Sequence, residues 1–421
     1  MMRSPHRQRL IRELRLAAQR HDWAKLIADH GTPLLVLDPG AVVAAYRELS
    51  THLPGFDLHY AVKALPHPAV LAAIASCGGG FDVTTRAEVE LVRALGIAME
   101  KCIYTHPVKT PDDIDHACQA GIRTFVVDNP MEAEKFCGRS SDTRVLVRLA
   151  FPNPTAKSDL STKFGVDMSS YDDAVLVVKQ VIASGVTFAG FSFHVGSQSS
   201  SVEPFRSALR STLELCRHIH DTVGVDTIVI DIGGGFPVVY REPVPAVAQI
   251  AEVINDTVGA LRYEFTLMAE PGRFLVAPCM TLFTRVVGTA TRRAHQWHYL
   301  DDGLYGSYSN VLCEDVHPPI LAWRELTTTT SELMPVTLAG PTCDSADVVA
   351  RDCPMPRLNI GDVVVSPMMG AYTAVTATRF NSVAPTPIVV TDITQHEQDL
   401  RGRGRQLRSR PSRDRQGLLQ A

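Results

Sequence analysis

The sequence predicts an α/β barrel of eight strand–helix units, followed by a second, mostly antiparallel β domain. From residue 58 to 272, short apolar runs alternate with helical patterns, and the unit recurs eight times over about 215 residues, which is the count and length of a (β/α)8 barrel. After residue 275 the helical periodicity gives way to β-type runs separated by Gly, Pro and Asp clusters. A doubly wound parallel sheet stays the alternative, because strand order is invisible in a sequence.

The predicted elements follow one another along the chain. The barrel strands are predicted at 58–63, 80–83, 101–105, 124–128, 144–150, 188–195, 227–233 and 266–272. Helical patterns lie between them, for example at 87–95, 172–183 and 204–219. An earlier apolar run at 33–38 precedes the barrel, and we expect it to pair with the β domain.

These elements divide the chain into four parts. Residues 1–29 form an N-terminal helical extension, 40–274 form the barrel, 30–39 with 275–400 form the discontinuous β domain, and 401–421 form a disordered tail. The Arg-rich start lacks the apolar core of a secretory signal, so we expect a solvated amphipathic helix. A transit peptide is the alternative, although Glu13 and the few hydroxyl residues count against it.

Composition excludes several classes of protein. The longest apolar runs are too short to span a bilayer, so no membrane partner is expected. Nine cysteines are scattered without a C-x-x-C pair, which indicates a reducing, cytoplasmic compartment and no metal site. The tail carries seven Arg and one Asp, which leaves 34 basic and 44 acidic groups in the first 400 residues. This acidic body favours cationic small molecules, and we interpret the tail as solvated rather than as a nucleic-acid arm.

Unusual polar residues stand at the predicted strand ends, where barrel active sites lie. Lys63 alone would be interpreted as a packed stem with a solvated ammonium, and its burial would favour the neutral amine. The whole set instead combines an amine nucleophile, a glycine-rich phosphate cradle with an arginine beside it, a carboxylate and an imidazole. A pyridoxal phosphate site requires these parts. The residues are Lys63, Asp82, Arg148, His194, Gly233, Gly234, Gly235, Glu270 and Arg273.

Longer motifs carry a resemblance to a known family. They include "YAVKA" (60–64), "GFDVTTRAEVE" (80–90), "STKFGV" (161–166), "FHVGS" (193–197), "DIGGGFP" (231–237), "EPGRF" (270–274), "DDGLYGSY" (301–308), "GPTCDSAD" (340–347) and "MGAYT" (369–373). In this order and spacing, from about residue 30 to 390, they strongly resemble the ornithine decarboxylase family of barrel-fold, pyridoxal-phosphate-dependent decarboxylases. The resemblance implies decarboxylation of a basic amino acid, most simply ornithine to putrescine in polyamine biosynthesis.

The resemblance also assigns roles at the cofactor. Lys63 would hold pyridoxal phosphate as a Schiff base, with Asp82 nearby, and Glu270 would pair with the pyridine nitrogen. His194 would stack on the ring. The phosphate would be held by Ser197, Gly235, Arg273 and Tyr372.

The resemblance further implies a homodimer with shared sites. Cys343 would arrive from the partner subunit and protonate Cα after the carboxylate is lost. Lys163 and Asp347 would pair across the dimer.

Substrate choice depends on two acidic positions. Asp344 favours a substrate with a distal amine, because relatives that act on diaminopimelate resemble "CES" at this point. The family's second carboxylate, normally Asp, falls on Glu314 by an ungapped count, and a one-residue shift would use Asp315 instead. This departure leaves ornithine, lysine and arginine open.

Two other functions are compatible with the fold. Barrel-fold racemases are expected to place an arginine against the pyridine nitrogen, so Glu270 favours the decarboxylase. A non-catalytic regulatory relative would typically lose the lysine, the glycines or the cysteine, and here all three remain.

Overall fold

The chain folds around two β-sheets in a computed structural model that describes residues 5–259, 264–328 and 332–391. The strands are β1 Leu34–Leu37, β2 Phe56–Ala61, β3 Gly80–Val83, β4 Cys102–Tyr104, β5 Thr124–Val127, β6 Arg144–Ala150, β7 Val166–Asp167, β8 Thr187–Phe193, β9 Val229–Asp231, β10 Thr266–Ala269, β11 Met280–Arg292, β12 His295–Leu300, β13 Leu321–Ala322, β14 Met334–Ala339, β15 Val348–Met355, β16 Val363–Ser366 and β17 Ile388–Val390. The predicted tail from residue 401 lies outside the described residues.

Helices cover most of the connections between these strands. They are α1 Pro5–Arg20, α2 Trp23–His30, α3 Pro39–His52, α4 Pro68–Ser76, α5 Arg86–Ala94, α6 Pro111–Ala120, α7 Pro130–Glu134, α8 Asp172–Ala183, α9 Glu203–Val223, α10 Val247–Val258, α11 Arg273–Val276, α12 Ser309–Glu314 and α13 Arg324–Thr327. Side chains cap several helix starts. Thr110, for example, accepts from the Asp113 N–H while Asp113 accepts in return at the start of α6.

The first sheet is a closed parallel barrel, which confirms the predicted fold. Strand β2 pairs with β3, the order continues through β4, β5, β6, β8, β9 and β10, and β10 pairs with β2. The doubly wound alternative is therefore wrong, because an open sheet would not join its first and last strands. The two-residue strand β7 pairs with the last two residues of β6.

Alternation along the strands separates the barrel interior from the face that meets the helices. Six strands each contribute one residue to a small apolar interior cluster, made of Ile103, Val126, Leu146, Ala189, Val229 and Met268. Two residues after Leu146, Val229 and Met268, the same inward face carries a polar side chain. These side chains are Arg148, Asp231 and Glu270, and they meet at the carboxyl end of the barrel.

The second sheet is mixed but mostly antiparallel, as predicted. Strand β11 is its centre, with β12, β16 and β1 as antiparallel neighbours. The predicted pairing of the 33–38 run with this sheet is confirmed, because β1 pairs residue by residue with the start of β11. Within this second sheet, as far as it is described, β12 pairs with β14 and β1 with β17 in parallel.

The N-terminal helix is amphipathic but not solvated on all sides. Ile11 and Leu14 of α1 are buried in a cluster that includes Trp23 and Phe283. Arg7 also makes a bidentate ion pair with buried Glu325, with distances of 2.7 and 3.1 Å. The expectation of a solvated helix is therefore wrong for its apolar face, which packs on the β domain.

Several predicted strands end too late. Strand β2 ends at Ala61, and Lys63 lies in a 3₁₀ turn, Val62–Ala64, that follows it. Strand β9 ends at Asp231, before the three glycines. These residues continue the apolar and small-residue pattern of the strand, but their backbone has already turned toward the barrel mouth.

The described residues contain neither a membrane-spanning helix nor a cluster of metal ligands. We find no helix there that is both long and apolar enough to cross a lipid bilayer. The same part of the chain holds no group of three or more His, Cys, Asp or Glu side chains positioned to bind a metal ion.

Candidate active site

A cavity of about 340 Å³ opens at the carboxyl end of the barrel, where the β domain meets it. It collects most of the predicted site residues from seven separate parts of the chain. Predicted residues in its lining are Lys63, Arg148, His194, Ser197, Gly234, Gly235, Glu270, Arg273, Glu314 and Tyr372. The convergence follows from the parallel barrel, in which every strand ends at the same mouth.

Lys63 reaches into this cavity and pairs with Asp82. Its Nζ donates to Asp82 Oδ2 over 2.8 Å, and Asp82 is fully buried while 39% of the Lys63 side chain is accessible. Burial is the largest single influence and would lower the pKa of the Lys63 ammonium, but the charge and hydrogen bond of Asp82, together with Glu270 and Tyr372, outweigh burial and raise that pKa. The expectation that burial favours the neutral amine is therefore wrong, because a carboxylate faces the nitrogen. Thr105 fixes Asp82 by donating to its other oxygen.

Glu270 and Asp231 form a buried pair of carboxyl groups. Burial raises the pKa of Glu270 well above its ordinary value, and the neighbouring charges of Asp231 and Asp82 add to this. Burial also raises the pKa of Asp231, which accepts from the Gly233 N–H over 2.9 Å. Two acceptor-only carboxylates cannot bond to each other, so one proton shared by the pair satisfies both. Glu270, whose pKa is raised more strongly, therefore carries this proton.

His194 is neutral. Burial lowers the pKa of its imidazole well below the ordinary value, and the positive charges of Arg148 and Lys63 lower it further. The Gly196 N–H donates to Nδ1 over 3.0 Å. A neutral ring whose Nδ1 accepts carries its proton on Nε2, so an uncharged, flat face borders the cavity.

The glycines after β9 form a backbone wall. Gly235 has a φ of +97°, and a Cβ there would stand 2.6 Å from the Gly196 carbonyl oxygen. A Cβ on Gly234 would stand 2.8 Å from the Glu270 carbonyl oxygen and 3.0 Å from His194 Nε2. Side chains are excluded at both positions, so backbone lines the cavity next to Arg273.

Arg273 is the cation of this wall, and 4% of its side chain is exposed. It donates to Ser197 Oγ over 3.0 Å and to the Tyr240 hydroxyl over 3.1 Å. It also makes an ion pair with Glu314. Its Nε is buried and has no hydrogen-bond partner among the described residues. A buried guanidinium with a free donor suits an anionic ligand.

The β domain contributes Tyr372 and Glu314 to the cavity of its own chain. The Tyr372 N–H donates to the Ala64 carbonyl over 3.1 Å, which joins this loop to the turn that carries Lys63. Tyr372 has a φ of 53°, a strained conformation for an aromatic residue, and its ring lies 5.0 Å from the Arg273 guanidinium carbon. The strain is held by the contacts of the loop with the barrel.

The two candidate substrate carboxylates of this segment point to different places. Glu314 lines the cavity and contacts Arg273. Asp315 lies in a neighbouring cavity of about 240 Å³, where it pairs with Lys157 over 2.9 Å and with His317 over 3.1 Å. Glu314, which the ungapped register selects, lines the cavity, and its contact with the substrate stays a prediction.

Cys343 and Asp344 lie outside the cavity lining of their own chain. Cys343 is exposed, and its sulfur is 3.3 Å from the Asn381 amide nitrogen. Asp344 accepts from the Tyr305 hydroxyl and from the Ala346 N–H. Both residues therefore stand on an accessible loop after β14, and their catalytic and substrate roles stay predictions.

The predicted inter-subunit pair also stays a prediction. Asp347 is buried, and its carboxylate accepts from the Leu304 N–H over 2.8 Å and from the Thr342 hydroxyl over 2.7 Å within its own chain. Lys163 lies over the Phe164 ring at 4.9 Å. The structure thus gives Asp347 a supporting role inside its own loop, and pairing with a partner would add to that role.

Several residues of the cavity were missed by the sequence analysis. Thr105 ends the predicted strand at 101–105, so the strand-end rule could have found it. His106 and Phe164 pack edge to face at 5.4 Å in the lining, and the Arg148 guanidinium lies 5.4 Å from the Phe164 ring. Cys313 also lines the cavity and lies in α12. Tyr240 contacts Arg273 from the neighbouring cavity, and it stands in a loop whose course no local pattern reveals.

These residues fit pyridoxal phosphate. The free Nε donor of Arg273 beside the glycine wall matches a phosphate, and the protonated Glu270 matches a pyridine nitrogen. Lys63 is the accessible amine of the cavity.

Similarity to known proteins also points to a pyridoxal-phosphate site. The family described as "Pyridoxal-dependent decarboxylase, pyridoxal binding domain" matches residues 40–277. Lysine/ornithine decarboxylase from Selenomonas ruminantium is 35% identical over 85% of this chain and 89% of the relative. Antizyme inhibitor 2 from Xenopus laevis is 30% identical over 84% of this chain and 79% of the relative.

Solved structures are similar throughout the fold. Lysine/ornithine decarboxylase of Vibrio vulnificus complexed with cadaverine has a TM-score of 0.82 and 37% identity, and covers 88% of this chain and 98% of that one. The arginine decarboxylase of Paramecium bursaria Chlorella virus bound to agmatine has a TM-score of 0.81 and 27% identity, and covers 88% and 100%.

Proposed function

The chain belongs to the pyridoxal-dependent decarboxylases, and on that premise we propose that it decarboxylates a basic L-amino acid, with ornithine preferred over lysine and arginine. It is a pyridoxal-phosphate-dependent carboxy-lyase. Production of putrescine from ornithine would place it in polyamine biosynthesis in the cytoplasm. The decarboxylases among the similar proteins are named for ornithine, lysine or arginine, so the choice among these three substrates belongs to the proposal.

One observation carries the proposal. Lys63, Glu270 and Arg273 face the same cavity, although Lys63 follows β2 and the other two follow β10. An amine, an acid for the pyridine nitrogen and a cation for the phosphate are the three fixed points that a bound pyridoxal phosphate needs. An acid rather than an arginine at Glu270 supports decarboxylation over racemisation.

Each cavity residue would have a separate role in holding the cofactor. When bound, the cofactor supplies an electron sink for the pair of electrons left at Cα by loss of carbon dioxide. Lys63 would hold the cofactor, and Asp82 keeps its nitrogen charged and in place. Glu270 would give its proton to the pyridine nitrogen and pair with it as a carboxylate, which would keep that nitrogen protonated. Neutral His194 would support the ring without adding charge, and Arg273 with Ser197 would anchor the phosphate.

Substrate recognition would use carboxylates at the far end of the cavity. A distal ammonium or guanidinium that leaves water needs negative partners to replace its hydration. Glu314 lines the cavity, and Asp344 lies on an accessible loop from which it could enter the cavity of a second subunit.

We therefore take the active unit to be a homodimer with shared sites. The support is that Cys343 is exposed and stands outside the lining of its own chain's cavity. A thiol that is to deliver a proton to Cα must then come from another copy.

The test is carbon dioxide release from ornithine, lysine, arginine and diaminopimelate by purified protein supplied with pyridoxal phosphate. We expect kcat/KM to be highest for ornithine and lowest for diaminopimelate. A faster rate with lysine or arginine would overturn the ranking alone. Release from none of them would favour a non-catalytic role, for which the similarity to antizyme inhibitor 2 is the supporting observation.

A further inference from the structure

Arg273 carries a single positive charge, and Glu314 already pairs with it. Its Nη2 nitrogen donates to Ser197 Oγ and to the Glu314 carboxylate, and its Nη1 nitrogen donates to the Tyr240 hydroxyl. The Glu314 side chain is 16% exposed, so little water screens this ion pair. The same guanidinium lies beside the glycine wall and is the expected phosphate ligand. A carboxylate and a phosphate would therefore meet at one arginine.

We propose that Glu314 and the phosphate of the cofactor compete for Arg273, so that cofactor binding displaces the Glu314 carboxylate into the cavity, where it meets the distal cation of the substrate. The proposal rests on the proposed function, because it takes the phosphate to bind at Arg273. It adds a coupling between two subsites, in which the loaded cofactor makes the substrate-reading carboxylate available.

The local structure favours a displaceable carboxylate. Glu314 is the last residue of α12, where the partial negative charge of the helix end disfavours an acid. Its contact with Arg273 offsets that cost, and the arriving phosphate removes the contact. Glu314 also lines the same cavity as Lys63, so a side-chain rotation can turn its carboxylate toward the substrate without moving the backbone.

The length of the side chain matters. Glu has one methylene more than Asp, which lets one position reach both Arg273 and the cavity. Shortening it to Asp should weaken the contact with Arg273, because the shorter side chain withdraws the carboxylate from the Nη2 nitrogen that it now contacts. Competition should therefore weaken in both Glu314→Gln and Glu314→Asp.

The experiment measures cofactor affinity, not turnover. The full-length holoenzyme is stripped with hydroxylamine, and pyridoxal phosphate is titrated back while the chromophore is followed. Glu314→Gln removes the competing charge at nearly constant shape, so we expect binding to tighten about tenfold, with inorganic phosphate becoming a similarly better competitor. Glu314→Asp should tighten binding by a smaller factor.

Two controls test whether the change in affinity acts through the phosphate group and is specific to Glu314. Pyridoxal, which lacks the phosphate, should bind with the same affinity to wild type and Glu314→Gln. Glu242→Gln removes one negative charge from the neighbouring cavity and should leave pyridoxal phosphate affinity unchanged.

The possible outcomes distinguish a failure of the competition at Arg273 from a failure of the proposed function. Unchanged or weaker pyridoxal phosphate binding in both Glu314 variants, with thermal midpoints near that of wild type, overturns the competition. Equal tightening for pyridoxal and pyridoxal phosphate overturns it as well, since the effect would then not act through the phosphate. If wild-type protein forms no chromophore with pyridoxal phosphate, the proposed function itself is refuted.

Discussion

Replacing Asp82 by Asn should change the protonation of Lys63 more than any other single substitution in the barrel. Asp82 Oδ2 lies 2.8 Å from Lys63 Nζ, and burial leaves Asp82 with no accessible surface. At an effective dielectric constant of about 20, two unit charges at this distance attract by about 6 kcal/mol. Because 39% of the Lys63 side chain is accessible, solvent screening reduces this to about 3 kcal/mol, or about two pH units.

The sign of the shift follows from the charges. In the wild type the carboxylate holds the pKa of Lys63 above the ordinary lysine value. In Asp82→Asn the amide keeps its shape and still accepts from Thr105, but its NH2 group faces the lysine nitrogen and favours the neutral amine. Burial, which lowers the pKa of an ammonium, is then unopposed by Asp82.

The assay is the pH dependence of covalent labelling of Lys63 in the cofactor-free protein. An amine-selective reagent reacts with the neutral form, and peptide mass spectrometry reads Lys63 alone. We expect the labelling midpoint of Asp82→Asn to lie about two pH units below that of wild type. Thr105→Val keeps the charge of Asp82 and should keep the wild-type midpoint. Equal midpoints in wild type and Asp82→Asn would refute the electrostatic account of this site.

Three further predictions concern subunits, substrate and stability. Mixing inactive Lys63→Ala with inactive Cys343→Ala should restore part of the activity, because a mixed dimer rebuilds one intact site; no recovery after verified subunit exchange would exclude shared sites. Asp344→Ala should lower kcat/KM for a basic substrate by about two orders of magnitude with the chromophore intact, whereas loss of the chromophore would assign it a cofactor role. Burial lowers the pKa of Lys109 to about 7 against an ordinary value of 10.5, so between these pH values the unfolded state binds more protons and stability rises with pH. Lys109→Met should flatten that rise in urea unfolding, and an unchanged slope would contradict the burial of a titrating amine.

The barrel and its polar mouth could be predicted because their signals are local. Arg148 and Glu270 follow apolar interior residues by two positions, and a parallel barrel brings every strand end to one mouth. The strand ends themselves were placed too late, at Lys63 instead of Ala61 for β2, because the turn continues the composition of the strand.

The contacts of each side chain could not be predicted from position alone. The charge of Lys63 depends on Asp82, which lies on a neighbouring strand 19 residues later. The count from the tyrosine motif selected Glu314 but could not reveal that Arg273, 41 residues earlier, would hold it. Tyr240 stands in an irregular loop after the glycines, where no periodic pattern operates.

Trapping the cofactor with borohydride tests the central claim most directly. Reduction of the holoenzyme followed by peptide mass spectrometry identifies the lysine that carries the pyridoxyl group. We expect the label on Lys63, and Lys63→Ala should lose both the label and nearly all turnover. Lys109 is the alternative site for the label, because its pKa of about 7 makes its amine neutral more readily than that of Lys63. Its Nζ is buried, however, and donates to backbone carbonyls 2.7 and 3.0 Å away. A label on Lys109, or on any lysine other than Lys63, would contradict the account.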